Sequence, residues 1–145
     1  MFVGIVSTAI MTLTEIPSWK KWGLYGVFEW HQNQAIITYV FRLSDNKKIR
    51  FREIFLLHFL NGILGGIAFP FILYLFDFSV NVIMISLLGV LYGFILWILT
   101  LIPIHKPITG FSPWNHPLGH GPALASLGGH AVYGFFLGLI ISFII

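Results

Sequence analysis

Cysteine is absent from this chain of 145 residues, and charged side chains make up only 9% of it. Without cysteine, the protein has no disulfide, no thiolate metal site and no cysteine nucleophile. A typical soluble domain carries about 25% charged residues, so a water-soluble fold of this length would lack the charge to cover its surface. These two shortages exclude an ordinary cytosolic enzyme and a disordered chain.

Familiar catalytic and nucleotide-binding motifs are missing as well. The sequence contains no phosphate-binding loop, no dinucleotide-binding glycine fingerprint, no HExxH zinc motif and no Gly-x-Ser-x-Gly elbow. Its basic residues cluster in a short loop beside apolar segments, which favours binding to anionic lipid headgroups over binding to nucleic acid.

Hydrophobic residues account for 57% of the chain, and the mean hydropathy is +0.89. This composition predicts one all-α integral membrane domain, residues 1–145. Four apolar segments predict spans at about residues 2–19, 54–76, 80–102 and 122–145. The last three are long enough to cross a hydrocarbon core about 30 Å thick. Glu15 and Pro17 interrupt the first, which makes it the weakest.

The basic residues also predict an orientation. Seven of the eight Lys and Arg residues lie between the first and second segments, and Lys106 lies between the third and fourth. By the positive-inside rule, both loops face the cytoplasm and both termini lie outside a multi-pass cell membrane protein. Residues Asp77–Ser79 then form a tight outer turn.

The first loop has two structural interpretations. Apolar residues recur at three- and four-residue steps from Leu24 to Val40, which favours an interfacial amphipathic helix. The alternative is a β-hairpin of residues Ile37–Leu43 and Lys48–Phe51. With the helix, Asp45 or Asn46 is expected to cap the second membrane helix.

Glycines four residues apart occur in each of the last three segments. Small residues at this spacing allow the close backbone approach on which helix association in lipid depends. The pattern predicts a compact bundle or docking on partner helices. The three pairs are Gly62 and Gly66, Gly89 and Gly93, and Gly134 and Gly138.

Three ionisable residues stand inside or at the edge of predicted spans: Glu15, His58 and His130. An ionisable group in a membrane helix is a functional hypothesis by default. One carboxylate and two imidazoles suit zinc, copper or non-haem iron, so these residues are a candidate metal site. The alternatives are an imidazole of His130 that hydrogen-bonds across the bundle, and a Glu15 that pairs with a nearby lysine.

Polar residues in the two basic loops form a weaker candidate site. His116 and His120 are four residues apart, but Pro117 and Gly119 disfavour a helix between them. A loop chelate with Glu29 or His31 is one possibility, and hydrogen bonding to water and headgroups is the other. Glu29 and His31 are also candidates for contact with a partner or with the second loop.

Several motifs carry a resemblance: the run Met11–Pro17, the cluster Glu29-Trp30-His31, and the run from Gly129 to Gly138 that contains His130-Ala-Val-Tyr133-Gly134. They resemble small multi-helix membrane proteins of archaea, in which a Met-Thr…Glu helix pairs with a His-x-x-Tyr-Gly helix. The amino-acid usage resembles that of an ammonia-oxidising archaeon. The resemblance implies a possible place among the extra subunits of a copper membrane monooxygenase, with no catalytic motif to transfer.

Three functions are therefore expected in turn. The first is a non-catalytic accessory subunit whose glycine faces pack on other membrane subunits. The second is a metal- or haem-binding redox or enzyme subunit that uses Glu15, His58 and His130. The third is a small ion or proton transporter with His130 and Glu15 on its path.

Overall fold

A computed structural model describes residues 1–42, 48–75 and 81–144. Within these ranges the chain is helical, with no strand and one isolated β-bridge between Ser112 and Asn115. The prediction of an all-α fold is confirmed. The helices are α1 (Phe2–Trp22), α2 (Phe28–Val40), α3 (Phe51–Leu75), α4 (Val82–Thr109) and α5 (Gly121–Ile141), and the 3-10 turn Leu24–Gly26 joins α1 to α2.

Helices α1, α3, α4 and α5 are long and apolar enough to cross a membrane, and they correspond to the four predicted segments. The predicted ends differ most in α4, which continues through Pro103 and Pro107 to Thr109. His105 therefore lies in a helix and not in the loop where the sequence suggested it. The Thr109 hydroxyl donates to the His105 carbonyl (2.7 Å), and Gly110 ends the helix with φ 80°. The predicted outer turn, Asp77–Ser79, lies outside the described residues.

Glycine contacts hold the long helices together in two antiparallel pairs. In the α4–α5 pair, a Cβ added at Gly134 would fall on the carbonyl oxygen of Gly89. In the α1–α3 pair, a Cβ at Gly66 would meet Gly4, and one at Gly62 would meet Thr8. Because all three GxxxG pairs pack within the chain, their surfaces are occupied by its own helices.

The bundle has two different ends. The apolar end, where α1 and α4 begin, is filled by hydrophobic side chains that include Val3, Phe69, Ile85 and Leu137. At the opposite end, which we term the polar end, α2 packs against α3 and α4 and the basic residues collect.

The first loop contains the helix and not the hairpin: residues 37–40 are helical, which is incompatible with the proposed first strand. Residues 43–47, with the proposed caps Asp45 and Asn46, lie outside the described residues. The helix also differs from a simple amphipathic one, because Gln32, Asn33 and Gln34 are buried while Tyr39 is 84% exposed. The amide of Gln34 explains its burial. Its Oε1 accepts from the Arg50 backbone N–H (2.9 Å), and its Nε2 donates to the Lys48 carbonyl (3.3 Å).

Candidate functional site

Two acidic side chains meet inside the polar half of the bundle. Glu15 comes from the second half of α1, where it is only 3% exposed, and Glu29 comes from the first turn of α2. Their carboxyl groups are close enough to hydrogen-bond to each other. The 3-10 turn makes this possible because it folds α2 back against α1, so that residues fourteen positions apart become neighbours.

His130 of α5 holds Glu29. Its Nδ1 lies 3.2 Å from Glu29 Oε1 and 3.1 Å from the Ser126 carbonyl oxygen. Both neighbours are acceptors, so we assign the proton to Nδ1. The Ser126 hydroxyl also donates to Glu29 Oε1 and accepts from Trp97 Nε1–H (3.1 Å). The Glu29 carboxyl is thus oriented by a short chain of donors that reaches from α5 to α4.

His58 of α3 lies beside Glu15 in a similar way. Its Nε2 is 3.2 Å from Thr12 Oγ1 and 3.8 Å from Glu15 Oε2. The Thr12 hydroxyl already donates to the Thr8 carbonyl (2.8 Å), so its oxygen accepts the proton of His58 Nε2. Trp30 Nε1–H donates to Glu15 Oε2 at 2.8 Å. Each carboxyl group therefore has one histidine and one further side-chain donor.

One proton belongs between the two carboxyl groups. Glu15 Oε1 and Glu29 Oε2 have no hydrogen-bond partner in the described part of the chain. Two carboxylates this close do not both ionise in a water-poor environment, and a proton held between them gives each a partner. Burial raises the pKa of Glu29, but the hydrogen bond and charge of His130 and the Ser126 hydroxyl outweigh burial and hold that pKa well below its usual range. Glu29 is therefore the ionised member, and Glu15 holds the proton.

A cavity of about 480 Å³ adjoins this cluster, and we term it the lateral cavity. It opens between α3 and α4, where Leu64 and Thr100 are exposed. Its wall is polar near α2 and mostly apolar further along α3 and α4. The polar wall includes Glu29, Gln32, Asn33, His58, Asn61 and His130, and the apolar wall includes Leu64, Ala68, Leu96, Leu101 and Ile104.

A second group of histidines lies at the polar end, apart from the acidic pair. The rings of His31 and His105 are 5.6 Å apart, and His116 joins them through contacts with Phe28 and Phe111. Burial, with the neighbouring His105 and His116, lowers the pKa of His31 to about 4. Burial also lowers the pKa of His116. This group is therefore uncharged near neutral pH.

The structure brings some predicted site residues together and separates others. Glu15, His58 and His130 do share one cluster, with Glu29 as an additional member. His116 lies with His31, whereas His120 is exposed and Glu29 belongs to the acidic pair. Among the described residues, no three His, Asp or Glu side chains are arranged to hold a metal ion. Binding of zinc, copper, iron or haem remains a prediction from the sequence.

The sequence reasoning missed Ser126, Trp97, Gln32 and the partnership of Glu29 with His130. One signal was available: Ser126 stands four residues before His130, one helical turn away on the same face. The other contacts join different helices, and residue spacing does not reveal them.

Comparison with known proteins places this geometry in no established group. The chain matches no family model, no curated protein and no solved structure.

Proposed function

We propose that α1, α3, α4 and α5 span the cell membrane with the polar end in the cytoplasm. We further propose that the chain binds an amphipathic molecule of the membrane in the lateral cavity. The acidic pair and the two histidines then exchange a proton with the polar group of that molecule. The observation that carries this proposal is the position of the Glu15–Glu29 pair, with His58 and His130, beside a cavity that opens between two long apolar helices.

The energetics favour a function for these groups over a purely structural role. Ionisable side chains within a membrane domain are costly, and they usually mark ligand or proton sites. The lateral cavity has a volume of about 480 Å³, which falls in the range of about 300–1,000 Å³ that is typical of small-molecule sites. Because it opens to the side of the bundle, a molecule can enter it from lipid.

The protonation state suits acid–base chemistry. Glu15 holds a proton beside an ionised Glu29, and each carboxyl group contacts a histidine that can accept or supply a proton. His58 and His130 each use one ring nitrogen in the contacts described above. Their other ring nitrogens remain for a proton that arrives from, or leaves to, a bound molecule.

The other two functions have less support from the geometry. An accessory subunit that docks through its GxxxG faces requires those faces to be free, but they pack within the chain. A transporter requires a polar route through the bundle, but hydrophobic side chains such as Phe69 and Leu137 fill the apolar end. Both functions stay predictions from the sequence.

The bound molecule can be found by mass spectrometry of organic extracts from the purified protein. We expect one lipid-like species to copurify with the wild type at near-equal molar amount and to be lost from Ala68→Phe, which fills the lateral cavity. The matched control is Gly128→Phe, because a side chain at that position meets nothing within 4 Å. Identical extracts from all three folded proteins would contradict the proposal.

A further inference from the structure

We infer that the molecule in the lateral cavity is a single-chain amphiphile whose polar group donates hydrogen bonds and carries no negative charge. Long-chain alcohols and amines meet this description, whereas fatty acids and phospholipids do not. The inference rests on the proposed function and specifies the chemistry of its ligand.

The first argument is the balance of donors and acceptors in the wall of the lateral cavity. Two acceptor atoms of wall residues, Glu29 Oε2 and Gln32 Oε1, are buried without a partner in the described part of the chain. The donors nearby are already used: the hydroxyl of Tyr92 donates to the Gly65 carbonyl (2.9 Å), and that of Tyr133 to the Gly62 carbonyl (2.7 Å). A ligand that supplies a donor satisfies acceptors whose burial is otherwise costly.

The second argument is charge. The acidic pair shares one proton and so retains one negative charge beside the cavity. No lysine or arginine belongs to the described wall to balance an incoming anion. A carboxylate or phosphate in this position faces like charge where water does not screen it. A hydroxyl group meets no such repulsion, and an ammonium group is attracted.

The third argument is shape. Along α4 the wall extends from Tyr92 to Ile104, and twelve residues of helix rise about 18 Å. The polar wall lies near α2, and Leu64, Ala68 and Leu96 continue the wall away from it. An elongated cavity with one polar end matches a single hydrocarbon chain with its head beside Glu29.

Photo-crosslinking in liposomes tests this inference. Three probes carry a diazirine in the same hydrocarbon chain and differ only in the head: an alcohol, an amine and a carboxylic acid. We expect the alcohol or the amine to label the wall near Leu64, Ala68 and Leu96, and excess dodecanol to compete. The acid should label these positions at least about tenfold less, because like charges repel.

Two variants connect the selectivity to the wall. Glu29→Gln removes the negative charge and should bring the labelling by the acid close to that by the alcohol. Gln32→Leu removes an unpartnered acceptor and should reduce the labelling by the alcohol. The control Glu53→Gln, at an exposed position that pairs only with Arg50 at 3.7 Å, should leave the selectivity of the wild type.

The outcomes separate this inference from the proposed function. Competed labelling by the acid equal to that by the alcohol overturns the inference and leaves the proposed function standing. Wild-type selectivity in folded Glu29→Gln also overturns it. Absence of competed labelling with all three probes overturns the proposed function itself.

Discussion

At the apolar end of the bundle, backbone packs against backbone, whereas at the polar end side chains hold the helices together through hydrogen bonds. Gly134 rests on the Gly89 carbonyl with no side chain between the two helices. By contrast, α1, α2 and α5 are joined in the polar half by Glu15, Glu29 and His130. Close packing leaves no room for a ligand, and the polar half retains a cavity together with titratable groups. The first arrangement supplies rigidity, and the second is suited to chemistry.

The largest expected effect breaks the packing between α4 and α5. Gly134→Ala places a methyl group on the Gly89 carbonyl, so the two helices must separate. We expect the free energy of unfolding to fall by at least about 3 kcal/mol, as measured by denaturant unfolding in detergent. The matched control is Gly128→Ala, which gains a methyl group that touches nothing within 4 Å. Equal stability of the two variants would contradict the role assigned to the glycine contact.

The next effect concerns the polar end and its dependence on pH. The pKa of His31 is lowered from 6.5 to about 4 in the folded protein. Below pH 6.5 the unfolded chain therefore binds a proton that the folded chain does not, so the folded state loses stability as the pH falls towards 4. We expect a loss of roughly 3 kcal/mol from this group, seen as a lower Tm between pH 7 and pH 4.

His31→Gln should flatten that pH profile, because glutamine does not titrate. His120→Gln serves as the control, since His120 is exposed and lies outside the His31, His105 and His116 group. A profile as steep in His31→Gln as in the wild type would show that acid acts on other groups.

The smallest effect concerns a hydrogen bond between α5 and α3. The Tyr133 hydroxyl donates to the Gly62 carbonyl at 2.7 Å. Tyr133→Phe removes the donor with little change in shape, and we expect a loss of about 1 kcal/mol in the free energy of unfolding. Tyr39→Phe, at a position 84% exposed, should lie within the error of the wild type. A loss as large as that of Gly134→Ala would contradict the division between the two ends.

Local features of the sequence predicted the helices well. Hydropathy located α1, α3, α4 and α5, and the spacing of apolar residues located α2. The errors fell where tertiary contacts override local preference. α4 continues past Pro103 and Pro107, and α2 buries Gln34 because the backbone around Arg50 offers it hydrogen bonds.

The candidate site was predictable only in part. Glu15, His58 and His130 were recognisable by themselves, because ionisable groups are rare in apolar segments. Their partners were not. Glu29 lies in a loop helix whose direction depends on the turn at Leu24–Gly26, and Trp97 reaches the site only through Ser126.

The sequence alone determined the membrane class, the number of long helices and the residues too polar for their surroundings, because hydropathy and helical period are properties of consecutive residues. The tertiary structure decided which of those residues meet. It paired Glu15 with Glu29, placed both beside the lateral cavity, and kept His31, His105 and His116 in a separate group. The reason is that the rotation of each helix about its axis depends on packing against its neighbours, which no single segment encodes.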